Sequence, residues 1–196
     1  MGTLSNKAIL SAMKTGRLVI TPEPEFTTTG PTARFESNAV NLTLAPMLEI
    51  VKPGVVFDPA NETIASKLKG NVEEFVLTDD TPYVLKPGDC ILAMTEERIT
   101  LPAETPNGLP ALMGLIEGRS TLGRAFVTVH VTAPFVHNGS DHRITLEITN
   151  LGKWDVVLRK GMNIAQIAFL ELKGRPQCRL GQFQGQSVPR GAKAGK

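Results

Sequence analysis

The sequence predicts a mainly β chain with one short helix at its N-terminus. Three observations carry this: many short apolar runs rich in β-branched residues, glycine-bearing turns at regular intervals between them, and a capped 3.6-period pattern confined to the first fifteen residues. That spacing favours a barrel or sandwich over alternating strand–helix–strand units, whose helices would need longer amphipathic stretches.

The helix comes first. Ser5 supplies an N-cap oxygen; Ile9, Leu10 and Met13 fall on one face of the run that follows, and Gly16 ends it. Residues 17–20 then read as a strand, and the proline- and threonine-rich stretch 21–32 as a loop or exposed arm. Further strands are expected at 40–44, 47–51, 74–77, 90–95, 98–101, 127–132, 144–150, 156–158 and 164–172. Turns at Lys52-Pro53-Gly54, Lys86-Pro87-Gly88 and Lys160-Gly161 separate several of them. Residues 104–114 form a connection into a strand or turn starting at Leu115. One domain over residues 1–176 and a polar tail over 177–196 follow, because 196 residues suffice for a single core. The basic Arg190, Lys193 and Lys196 read as a solvated, frayed end.

Composition narrows the function classes. With 41% hydrophobic and 20% charged residues the chain is globular, and a net charge of +2 is too small for a dedicated nucleic-acid binder. No apolar run reaches the ~20 residues of a membrane span, and no signal-peptide pattern opens the chain, so a cytoplasmic location is expected. Cys90 and Cys178 are far apart and read as free thiols. His130, His137 and His142 lie close in sequence, but without the spacing of a zinc motif, so no protein-held metal is expected.

The chemistry concentrates in Glu117-Gly118-Arg119-Ser120-Thr121-Leu122-Gly123-Arg124. Guanidinium forks and hydroxyls match phosphate oxygens, and glycines let the backbone come close to an anion. Alone this indicates an anion site, and surface arginines paired with carboxylates would look the same. Further on, alternation in 144–150 puts Ile144, Leu146 and Ile148 on one face and Thr145, Glu147 and Thr149 on the other. Glu147 is then either a solvated carboxylate or a general acid–base.

The order of the pieces separates these readings. The string 116–124, then His130-Val131-Thr132-Ala133, Leu146-Glu147, Asn150-Leu151-Gly152-Lys153 and 158–166 closely resembles the dCTP deaminases of the dUTPase and dCTP deaminase superfamily. Leu18-Val19-Ile20-Thr21-Pro22 and Ala93-Met94-Thr95-Glu96-Glu97 are similar too, so the likeness covers most of the chain, weakly over 23–75.

That resemblance implies a dUTPase-like distorted β-barrel (β-clip) and a homotrimer with sites between subunits. It further implies hydrolytic deamination of a pyrimidine deoxynucleoside triphosphate, dCTP to dUTP and ammonia, without zinc. Glu147 would activate water for attack on C4 of cytosine, with Ser120, Arg124 and the carbonyl of Ala133 positioning water and base. Arg119, Ser120 and Thr121 would hold the triphosphate with Mg2+. Further nucleotide contacts would come from His137, Gln166 and the tail residues Gln182 and Gln186. The trimeric dUTPases lack a glutamate at position 147, which makes dUTP hydrolysis, alone or joined to deamination, the alternative. Three departures from the family pattern, His137 and Asn41 where relatives carry aspartate and Gln182 in place of the tail lysine, keep open a nucleotide-binding homologue with impaired catalysis.

Overall fold

The computed structural model describes residues 2–177, 185, 186 and 188–191. Helix α1 (Asn6–Lys14) forms as its sequence requires: the Ser5 hydroxyl accepts from the Ala8 amide at 3.3 Å, Ile9 and Ala12 are buried, and Gly16 leaves the helix at φ +74°. Two shorter helices follow, α2 (Ile64–Leu68), capped by Thr63, and α3 (Ser120–Arg124).

Among the described residues twelve strands form three antiparallel sheets. In the first, β4 (Val72–Val76), β3 (Met47–Val51), β6 (Cys90–Thr100), β10 (Asp141–Asn150) and β8 (Val127–Thr128) run side by side, and β1 (Val19–Thr21) also pairs with β6. The second has the order β2 (Val40–Thr43), β12 (Asn163–Glu171), β7 (Leu112–Gly118), β9 (Phe135–Val136). The third pairs β11 (Val156–Leu158) with β5 (Tyr83–Leu85). One core draws on all three sheets and on α1, from Leu4 to Phe169. Among the described residues hydrogen bonding does not close these sheets into one continuous barrel; the Leu44–Thr95 bridge and the Ala45 amide on the Met94 carbonyl (2.9 Å) join the end of β2 to β6 at a corner.

The expected turns hold: Gly54, Gly88 and Gly161 have φ of +79°, +88° and +73°. Several boundaries move. The two expected strands at 90–95 and 98–101 are one, and the strand expected at 127–132 stops after two residues. The chain enters β7 at Leu112, three residues earlier than expected. Gly114 in that strand has no room for a side chain, since a Cβ would come within 2.7 Å of Ile167 Cδ1.

The β6–β10 ladder carries the candidate site. Glu147 stands opposite Leu92, Leu146 opposite Ala93 and Ile148 opposite Ile91, with a bulge between Arg143 and Thr145. The bulged Ile144 amide donates to the Thr95 hydroxyl at 3.0 Å. At the other end Asn150 is fully buried. Its Nδ2 donates to the carbonyls of Leu85 (2.9 Å) and Trp154 (2.8 Å), and its Oδ1 accepts from Gly152 N–H (2.9 Å). Replacing Asn150 by alanine leaves these three backbone groups unpaired, so unfolding free energy should fall by about 2 kcal/mol or more, measured by urea denaturation.

Candidate active site

Glu147 lies on the β10 face opposite the core, half-buried, and its Oε2 accepts from the Val131 amide at 3.3 Å. It lines a cavity of about 340 Å3 together with Ala133, His137 and Gln186, so four of the expected site residues come together here. Leu92, Ile116 and Ile144 form much of its apolar wall, and Ile64 and Leu68 of α2 add to it. His137 is exposed at this cavity, its carbonyl accepting from Ser140 N–H (3.1 Å) in the turn that Gly139 completes at φ +84°.

All three histidines line this cavity, yet among the described residues no cluster of three or more His, Cys, Asp or Glu side chains could hold a metal ion. The His130 Nε2 lies 3.5 Å from Glu117, and its buried Nδ1 has no hydrogen-bond partner. Burial pushes the His142 imidazole below the usual histidine range. Its Nδ1 contact with the Arg143 carbonyl (3.0 Å) and the charge of Asp141 act in the opposite direction, while Arg98 reinforces the fall.

Arg119, Ser120 and Gln166 lie elsewhere, in a second concavity of about 300 Å3 that they share with Glu36, Ser37 and Asn38. Here the stretch expected only to approach an anion folds into α3, with Arg119 as its N-cap residue. Arg119 is 3.9 Å from Glu36, a loose ion pair that leaves its guanidinium free to take a better partner. Gln166 Nε2 donates to the Gly118 carbonyl at 3.2 Å. Thr121 and Arg124 are exposed on α3 and line neither concavity. Gln182 and Cys178 lie outside the described residues; Cys90 is a free, exposed thiol.

Asn41 has a structural explanation. It is fully buried in β2 beneath the second concavity, and its Nδ2 donates to the Ala33 carbonyl (2.8 Å) and to Glu36 Oε1 (3.1 Å). An aspartate could donate to neither and would set two carboxylates together, so the amide is what orients Glu36 towards Arg119.

The sequence reading missed the roles of Arg190 and of α2. Arg190, expected in a frayed terminus, instead donates to Glu49 at 2.5 Å and to Glu74 at 2.9 Å, and with Pro189 it lines the Glu147 cavity. Its partners lie more than a hundred residues away, so only the Thr63 cap before Ile64 gave a local signal for any of this wall.

A family model described as dCTP deaminase-like matches residues 3–172, nearly the whole described core. The chain belongs to the dCTP deaminase-like family. Within it, the dCTP deaminase of Haloarcula marismortui is 34% identical over 97% of this chain and 93% of its own length. The dUMP-forming dCTP deaminase of Methanosphaera stadtmanae is 32% identical over 86% of this chain and 79% of its own. The solved 2'-deoxycytidine 5'-triphosphate deaminase from Agrobacterium tumefaciens shares the fold, with a TM-score of 0.64 at 20% identity, over 86% of this chain and 48% of that one. The dUTPase-like fold class expected from the motif order is thus borne out, with three sheets in place of one closed barrel.

Two predictions come from this region. Asn41→Asp should lower unfolding free energy by about 1–3 kcal/mol, read by urea denaturation, because it buries a charge beside Glu36 and removes two hydrogen bonds. Folding lowers the His142 pKa, so as pH falls through the unfolded value of about 6.5 the unfolded chain takes up the proton first and stability drops until the folded pKa is reached. His142→Gln should flatten the decline in thermal midpoint between pH 7 and 5, and an unchanged slope would refute this origin.

Proposed function

We propose that this protein is a dCTP deaminase, converting dCTP and water to dUTP and ammonia, with Glu147 as the proton carrier. The observation that carries the reading is a half-buried carboxylate, oriented by one backbone amide, in a mostly apolar cavity with Ala133, His137 and Gln186. In the reaction Glu147 takes a proton from water as the oxygen bonds to C4 of cytosine. It passes that proton to N3 of the ring, then takes the remaining proton from the new C4 hydroxyl and gives it to the amine, which leaves as ammonia as the C4–N bond breaks. The Ala133 carbonyl, and Ser120 and Arg124 from α3, hold the water and the base, while the apolar wall excludes bulk solvent.

Arg119, Ser120 and Thr121, with Gln166, take the triphosphate. The groups at the second concavity are guanidinium, hydroxyl and amide donors that suit phosphate oxygens, so Mg2+ would reach the site through the nucleotide. That ion would neutralise triphosphate charge when bound. Gln182 and Gln186 belong to a tail, residues 177–196, that closes over a single nucleotide-binding domain of residues 1–176; the one core running from Leu4 to Phe169 supports that division.

Glu147 and Arg119–Ser120 line separate concavities of one chain, and chemistry that needs both is best served between subunits. A homotrimer with three shared sites follows as our reading. No helix among the described residues is long and apolar enough to cross a membrane, and we place the enzyme in the cytoplasm with its nucleotide substrate.

A second reading has support of its own. Relatives named dUMP-forming dCTP deaminases include one 44% identical over about half of this chain, which favours a further step from dUTP to dUMP. His137, exposed in the cavity, is the residue at issue for that step and for any loss of competence.

Purified protein given dCTP and Mg2+ should accumulate dUTP, and Glu147→Gln should lower kcat by at least about a hundredfold. Clean dUMP would select the second reading; binding without product would leave a nucleotide-binding homologue. Arg119→Ala should weaken triphosphate binding in calorimetric titration. Glu147→Gln and Arg124→Ala, each inactive alone, should regain part of the activity when unfolded and refolded together, because some sites then combine an intact Glu147 with an intact Arg124. Failure of the mixture to recover would refute shared sites.

A further inference from the structure

The proposed reaction uses Glu147 and Gln186 but gives Glu49, Glu74 and Arg190 no part. The strand registers tie them to the site. Glu74 stands opposite Glu49, Glu49 opposite Leu92, and Leu92 opposite Glu147. These four side chains therefore form one row across β4, β3, β6 and β10 on the face away from the core. Strands lie about 4.8 Å apart, which sets the Glu49 backbone about 10 Å from that of Glu147.

Glu49 has no exposed surface, although it is a glutamate on an outer face, and its Oε2 has no partner. Burial raises its pKa and Arg190 counters the shift. Covering this row are residues 185, 186 and 188–191. Gln186 Nε2 donates to the Arg143 carbonyl (3.0 Å) and to Thr145 Oγ1 (2.8 Å), and that hydroxyl donates to the Pro189 carbonyl (3.2 Å). Arg190 then reaches Glu49 and Glu74 through one nitrogen. The segment thus crosses from β10 to β3 and β4, and Gln186, Pro189 and Arg190 form one wall of the Glu147 cavity.

We propose that Arg190 is a positioning residue: pegged to the buried Glu49 and to Glu74, it seats Gln186 and residues 188–191 across the sheet so that Gln186 stands beside Glu147 before nucleotide arrives. Seating the segment beforehand removes its ordering cost from binding, so the peg acts on KM more than on kcat. The role of Gln186 as a nucleotide contact rests on the deaminase reading, whereas the peg does not.

The test compares Arg190→Met, Arg190→Lys and Glu49→Gln with the parent. Glu49→Gln keeps the shape of the buried side chain and removes its charge, so it covers the case in which Arg190→Met leaves a buried carboxylate uncompensated and fails to fold. Hydrogen exchange in the nucleotide-free protein should become faster over 185–191 and 143–147 in Arg190→Met and Glu49→Gln. KM for dCTP should rise about tenfold while kcat changes less than about threefold, with partial recovery in Arg190→Lys. Unchanged exchange over 185–191, or a lower melting temperature with KM unaltered, would overturn the proposal. If the parent does not turn over dCTP, the deaminase reading fails and the exchange measurement alone decides the peg.

Discussion

The register of β10 on β6 is the constraint on which the rest depends. Side chains alternate with period two, so a slip of one residue would turn Glu147 into the core and expose Leu146 and Ile148, both fully buried. Burying an unpaired carboxylate among aliphatic side chains costs several kcal/mol, which strongly disfavours the slip. The ladder is also pinned at both ends. Asp141 accepts from Arg98 through both oxygens at 2.7 Å and from Thr100 at 2.6 Å; at the far end Asn150 ties β10 to β5 and to the turn at Gly152. There a Cβ on Gly152 would meet the Ala125 carbonyl at 2.6 Å, so the turn after β10 is pressed against the end of α3. The position of Glu147 is a consequence of this ladder.

One device recurs in the irregular segments. Glu97 and Glu49 are both fully buried, and each receives an arginine from a stretch without regular structure: Arg34 for Glu97, Arg190 for Glu49. Breaking either pair would strand a buried charge, a far larger cost than losing a surface ion pair. Arg34 holds the loop that carries Glu36 to the Arg119 concavity, and Arg190 holds the segment that carries Gln186 to the Glu147 cavity. Loops that must stand beside a site are thus fixed from the sheet.

This division explains what was legible in the sequence. The alternation in β10, the glycine turns and the Ser5 cap are local signals, and each survives in the structure. Glu49 gave no such signal, because Met47-Leu48-Glu49-Ile50-Val51 reads as a strand with a solvated glutamate, and its partner lies 141 residues away. The two-residue β9 and the five-residue α2 and α3 are too short for periodicity to reveal; β9 and α3 pack on β7 and β8, and α2 is held locally by its Thr63 cap. Motif order singled out a set of candidate site residues, but order along a chain says nothing about which face each occupies. That Glu147 and Arg119 line different concavities emerges only from β10 and α3 in three dimensions.

Three carboxylates on or near the central sheet differ in how many donors they meet, and that difference separates their work. Glu97 meets three donors: Arg34, the Thr43 amide and the Thr43 hydroxyl all donate to it. Fully buried and bound by three donors, it does not line the cavity and serves to hold structure. Glu49 keeps one buried oxygen unpaired, but that oxygen is sealed beneath the tail segment. Glu147 accepts from the Val131 amide, and its carboxylate borders the cavity. A general base needs this combination: one fixed bond to set its direction, free lone pairs to receive a proton, and open space where a water and a base can stand. Of the three, Glu147 alone borders that space, which is why the deaminase reading rests on its surroundings as much as on its place in a motif.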